Sequence, residues 1–253
     1  MPGVDDGASN LEESRAALAA MREAGVSTLV ATPHLKGSLT RSPEALQARL
    51  EELDAGWECL KALGQSEFPG VSLNRGVELM LDTPAPDLSD PRLRLAGGNF
   101  VLMEFPFMSV PPHSAHAISE LRMQGWKPVI AHPERYAGVD PRMEIAGEWR
   151  RCGGILQVNV GSILGRYGEE ARARALALLE RGWADLMASD YHARGRLMIR
   201  SVTEQLKELG AEDQARLLLM TNPSRLLAGE DPLPVAPIQA QRSLWSRIRK
   251  VFR

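Results

Sequence analysis

Five ionisable side chains, His34, Glu78, Glu104, His132 and Asp190, each stand at the end of a run of apolar residues. Imidazoles and carboxylates are the ligands that suit manganese, iron and zinc, and a cluster drawn from the ends of separate strands needs no local spacing rule. Taken singly, a histidine at a strand end reads as a hydrogen-bonded core residue. Five in series point elsewhere, because gathering carboxylates and imidazoles at one rim without a cation leaves costly unpaired charge. The stretch ASDYH adds His192 two residues after Asp190, and alternate residues leaving a strand can face one centre. The chemistry that these types and positions suit is that of a divalent metal site.

The elements that must position these residues alternate along the chain. Ser9 and Glu12 have the spacing of a capping box, and Leu11, Ala17, Leu18 and Met21 line one face of a helix ending at Gly25. The apolar run VSTLVATPH, residues 26 to 34, follows, and a second helix opens at Ser42 with Pro43 at its first position. Further apolar runs at 99–105, 127–132, 154–160 and 183–190 alternate with helical patterns near 113–125, 141–152, 168–181 and 198–209. Near-continuous apolar strands separated by helices predict a parallel sheet covered by helices. Polar residues at the carboxyl ends of successive strands favour a closed α/β barrel, whose active sites form on that face.

Composition excludes several classes. Among 253 residues, 30 Lys and Arg balance 32 acids, so no basic field argues for nucleic acid. Cys59 and Cys152 are too few for a disulfide framework and read as small buried apolar groups. No signal peptide or membrane-spanning apolar run is present, and the cytoplasm is the expected compartment. Residues 1–229 form the expected domain, residues 230–241 a Pro-rich linker, and residues 242–253 (RSLWSRIRKVFR) a basic amphipathic tail suited to peripheral contact with a membrane.

The motifs VDDG, ATPH, GVEL, LMEF, VIAHPERY, QVNVGSI, ASDYH and TNPSRLL, in this order over roughly residues 3 to 228, resemble one family. It is the bacterial metal-dependent protein-tyrosine phosphatases of the polymerase and histidinol phosphatase superfamily, of capsule and exopolysaccharide type. The resemblance implies a distorted (β/α)7 barrel and a manganese-dependent cluster of up to three ions, with iron and zinc as alternatives. It makes Asp6, His34, Glu78, Glu104, His132, Asp190 and His192 the metal ligands. It makes Arg135 and Arg196 the phosphate-binding arginines, although Arg194 stands in the same loop, and it leaves Asp5 to shape the loop. The implied substrate is a tyrosine-phosphorylated polysaccharide-export kinase.

The family's first strand ends in a His-x-His pair shortly before PGVDDG, whereas here only Met1 precedes that motif. The resemblance therefore predicts a further strand of about a dozen residues bringing two more imidazoles, without which the barrel keeps an open edge. The implied mechanism is in-line attack on phosphorus by a metal-activated water, with His192 and Asp190 both open as the acid for the leaving phenolate. Cysteine-based chemistry is excluded, because it needs Arg six positions after Cys and the residues there are Gln65 and Val158. His113 and His116 read as rim or capping residues. Two other readings remain: a small-molecule phosphomonoesterase of the histidinol-phosphatase kind, and a metal-poor binding scaffold.

Overall fold

The computed structural model describes residues 1–238, and the expected alternation is its main feature. In chain order the elements are α1 (Leu11–Glu23), β1 (Thr28–Ala31), β2 (His34–Lys36), α2 (Pro43–Glu67), β3 (Ser72–Arg75), β4 (Glu78–Met80), β5 (Phe100–Glu104), α3 (Ser114–Met123) and β6 (Lys127–Ala131). They continue with α4 (Glu144–Arg151), β7 (Ile155–Asn159), α5 (Val160–Ile163), α6 (Glu169–Glu180), β8 (Leu186–Ala188), α7 (Ile199–Glu208), α8 (Glu212–Arg216) and α9 (Asn222–Leu227). A π-helical turn, Leu217–Thr221, joins the last two helices. Helix α1 starts one residue later than its expected box: Asn10 accepts from Glu13 N at 2.9 Å, and Glu13 reaches back to Ser9 N at 2.8 Å. The reciprocal cap is thus built on Asn10 and Glu13 rather than Ser9 and Glu12.

Every strand pairing is parallel. Six strands follow the order β2-β4-β5-β6-β7-β8, and β1 pairs with β3. The smaller sheet extends the larger one, because Gly76 N donates to Ala31 O at 3.0 Å and Glu78 N to Pro33 O at 3.0 Å across the breaks. Proline has no N–H for the ladder, so the run expected at 26–34 divides at Pro33. His34 and Glu78 consequently open the short strands β2 and β4 instead of closing longer ones, and the register sets them opposite each other. Glu104 does close β5, His132 follows directly on β6, and Asp190 stands two residues past the end of β8.

Among the described strands, β1 and β8 each have one neighbour. A cavity of about 730 Å³ lies between them, walled by Leu29 and Val30 on one side and Leu186 and Met187 on the other. Its outer wall comes from α1 and α9, and its polar end holds Asp6, His34 and His192.

The core between the strands and the helices packed on them is aliphatic around an aromatic knot: the Phe105 ring lies 5.3 Å from Tyr136 and 5.2 Å from Trp149. All three are fully buried. The knot stays satisfied because Tyr136 donates to Ala131 O and accepts from Phe105 N, both at 3.1 Å, and Trp149 donates to Ser114 Oγ. Packing also runs past the expected boundary at 229. Val235 and Ile238 are buried, Ile238 N donates to Leu179 O at 3.0 Å, and Leu233 exchanges two hydrogen bonds with Asn222. Residues 231–238 therefore form a strap against α6 and α9, while residues 239–241 and the tail at 242–253 lie outside the described residues. No helix among the described residues is long and apolar enough to cross a membrane.

Candidate metal centre

The loop carrying Asp5 and Asp6 is fastened from three directions. A Cβ at Gly56, within α2, would stand 2.5 Å from Val4 Cγ1, so only glycine lets the loop lie this close. Arg49 donates to Val4 O at 3.0 Å and to His34 O at 3.3 Å. Asp5 accepts from His34 N at 2.6 Å, which gives it the loop-shaping part expected of it. From the far side Arg194 donates to Ser9 Oγ at 2.5 Å and to Gly7 O at 3.4 Å.

All seven expected ligands meet in one connected cluster. Asp6 Oδ1 lies 3.9 Å from His34 Nε2 and 3.4 Å from His192 Nε2. His34 Nδ1 is 3.4 Å from Glu104 Oε1, an ion-pair distance without the alignment of a hydrogen bond. His132 Nε2 is 3.0 Å from Glu78 Oε1 and 3.9 Å from Glu104 Oε2. His192 Nδ1 is 3.6 Å from Asp190 Oδ1. Two triads, Asp6–His34–His192 and His34–Glu78–Glu104, each hold their ligand atoms within 4.8 Å of one another. His132 and Asp190 adopt left-handed backbone, with φ of 37° and 47°. Such strain in non-glycine residues collects at functional sites, where the surrounding structure maintains it.

The donor set fits divalent cations. Glu78, Glu104 and His132 are only 6%, 8% and 5% exposed, and buried carboxylates require a positive partner. Nδ1 of His34 and Nδ1 of His132 are buried without a hydrogen-bond partner among the described residues. In the absence of a metal, His34 and His132 are both shifted toward the protonated form. The Glu104 carboxylate raises His34 to about 9 against the opposing effect of burial, with Glu78 and Asp5 adding to the rise. Burial pushes His132 down, but hydrogen bonding and charge from Glu78 outweigh it and leave its pKa raised.

Arg135 stands beside the cluster. Its Nη1 donates to Asp190 Oδ2 at 2.8 Å, and its guanidinium carbon lies 4.1 Å from the centre of the Tyr167 ring. The other N–H groups have no protein acceptor among the described residues. Arg196 is exposed in the loop after β8 and makes no ion pair among them. Arg194, its alternative, is occupied by the N-terminal loop.

Three residues with parts here carried no assignment from sequence. Asn159, at the end of β7, donates to Asp190 Oδ2 at 2.8 Å and accepts from Gly161 N at 2.8 Å. Glu134, fully buried inside HPERY, accepts from Asn159 N at 3.0 Å, and burial raises its pKa. Tyr167 supplies the face on which Arg135 rests. An Asn within the apolar run QVNV was the one signal open to sequence reading. His113 and His116 lie at the start of α3, where His116 pairs with Glu120 at 3.2 Å.

Comparison with known proteins points to one family. The family model described as "Capsular polysaccharide synthesis, CpsB/CapC" matches residues 1–228. Tyrosine-protein phosphatase YwqE of Bacillus subtilis is 30% identical over 196 residues, covering 76% of this chain and 74% of that protein. Tyrosine-protein phosphatase CpsB of Streptococcus pneumoniae is 27% identical over 238 residues, covering 88% and 93%. A solved structure described under "Crystal structures of YwqE from Bacillus subtilis and CpsB from Streptococcus pneumoniae, unique metal-dependent tyrosine phosphatases" superposes with a TM-score of 0.74 at 26% identity. It covers 95% of this chain and 96% of its own.

Proposed function

Since the chain belongs to the CpsB/CapC family of capsular polysaccharide synthesis, we propose that it is a metal-dependent protein-tyrosine phosphatase with manganese as its preferred metal. The observation that carries the reading is the convergence of four carboxylates and three imidazoles beside an arginine with N–H groups to spare. Asp6, His34, Glu78, Glu104, His132, Asp190 and His192 would hold the ions, which when bound would supply Lewis acidity and lower the pKa of water at the site. Arg135 and Arg196 bind the phosphoryl oxygens, for which the planar guanidinium is matched in shape and charge. Asn159 and Arg135 both bind Oδ2 of Asp190 and so turn its other oxygen toward His192.

The physiological substrate in this reading is the phosphorylated tyrosine of a polysaccharide-biosynthesis kinase. The interval between β8 and β1 supports an added parallel strand there, whose carboxyl end would meet Asp6 and His192. The basic, amphipathic sequence of residues 242–253 supports a peripheral contact with an anionic leaflet, tested by co-sedimentation with anionic vesicles. For the activity itself, a phosphotyrosine peptide and histidinol phosphate are assayed before chelation, after chelation and after manganese is restored. The expected result is preference for the peptide, loss of turnover on chelation and recovery with manganese. Full turnover after exhaustive metal removal, or preference for histidinol phosphate, overturns the reading.

A further inference from the structure

The loop after Glu104 does something that no folding requirement explains. Phe107 is 95% exposed, the most exposed of the large apolar side chains described. It and Met108 are consecutive non-glycine residues in the left-handed region, with φ of 54° and 52°. Each such residue costs energy that the rest of the structure must supply, and an exposed phenyl returns nothing to the core. The conformation is nonetheless tightly fastened. Ser109 N closes the turn onto Pro106 O at 3.1 Å, and Phe105 N is held by the Tyr136 hydroxyl. Ala137 N donates to Met108 O at 2.7 Å, and Ser109 bridges to Ala137.

Three of those fastenings reach Tyr136 and Ala137, one and two residues beyond Arg135, so the phenyl and the guanidinium share one backbone frame. Phe107 is three residues past Glu104, which places its Cα within about 11 Å of that ligand's Cα. An aryl phosphate ester held at the metal centre carries its ring one P–O–C linkage farther out, within reach of a side chain on this rim. We propose that Phe107 is a specificity-determining residue, packing against the aromatic ring of the phosphotyrosyl group and thereby favouring aryl over alkyl phosphates. Aromatic pairs prefer offset or edge-to-face contact, which a ring displayed on a rigid loop offers without further ordering. The inference rests on the phosphatase reading above.

The test uses the full chain loaded with manganese. Free O-phospho-L-tyrosine is the aryl probe, and glycerol phosphate is the alkyl probe, read as substrate or as competitive inhibitor. Phe107→Ala is expected to lower the preference for phosphotyrosine over glycerol phosphate about fivefold to tenfold, with the change falling on KM. Phe107→Trp should restore that preference. An unchanged preference in Phe107→Ala, or a loss confined to phosphopeptides and absent with free phosphotyrosine, overturns the assignment, the latter because the phenyl then touches flanking peptide instead of the ring. If the unmodified protein turns over neither phosphotyrosine nor its peptide, the phosphatase reading fails and takes this inference with it. An active protein indifferent to Phe107→Ala sinks the inference alone.

Discussion

Arg135 Nη1 lies 2.8 Å from Oδ2 of Asp190, so the group expected to bind phosphate also orients a group expected to bind metal. Removing it should disturb both tasks. Arg135→Ala is expected to lower turnover of a phosphotyrosine peptide by about a hundredfold or more with little change in melting temperature. Arg135→Lys should recover little, because an ammonium cannot both stack on Tyr167 and present parallel donors. A variant that melts early yet turns over normally while folded would make the residue structural.

Tyr167 offers Arg135 a ring face at 4.1 Å, and its hydroxyl is 3.4 Å from Asn159 Nδ2. At 3.4 Å the hydrogen bond is long and weak, so the stacking contact should dominate. Tyr167→Phe is therefore expected to stay within about twofold of the parent in kcat/KM, and Tyr167→Ala to fall about tenfold. Equal losses in the two variants would transfer the role to the hydroxyl.

The protonation of His34 makes metal-free stability depend on pH. Its folded pKa of about 9 lies above the ordinary value of 6.5, so the protonated form stabilises the fold fully below about 6.5 and loses that contribution as pH rises through 9. His132 is shifted in the same direction. The melting temperature of the chelated protein should fall between pH 6.5 and 9, and His34→Gln should flatten the slope. Metal binding requires the neutral imidazole, so apparent metal affinity should rise across the same interval with release of protons, measured by titration calorimetry in buffers of different ionisation enthalpy. A chelated protein that becomes more stable with rising pH in this window contradicts the assignment.

Strands β1 and β8 should be the least protected of the sheet in hydrogen exchange. Each pairs on one side only among the described strands, whereas β5 and β6 pair on both and are closely packed. Exchange in β1 and β8 faster than in β5 and β6 by an order of magnitude or more is expected. Equal protection in all four strands would contradict the open edges at β1 and β8.

Much of the candidate site was legible because the residues expected as ligands interrupt apolar runs, and charge at the end of a buried strand is visible in one dimension. What could not be read was decided by neighbours distant in sequence. His34 and Glu78 begin strands because Pro33 and Gly76 divide the runs before them. Asn159 and Tyr167 look ordinary until folding carries them to Asp190 and Arg135. The stretch at 231–238 resembles a linker since Pro, Val and Ile follow no helical or strand period there. Its burial depends on a surface made by α6, and on Gly182, where a Cβ would stand 2.6 Å from Val235 O.

That strap also gives the molecule a handle. Leu179, which receives Ile238 N, lies near the end of α6, just before the chain enters β8 from its amino end. The strap thus finishes at the base of the strand array, while the metal centre lies at the opposite mouth. A support attached at Ile238 itself would therefore face the base and leave the mouth turned outward, open to a large substrate.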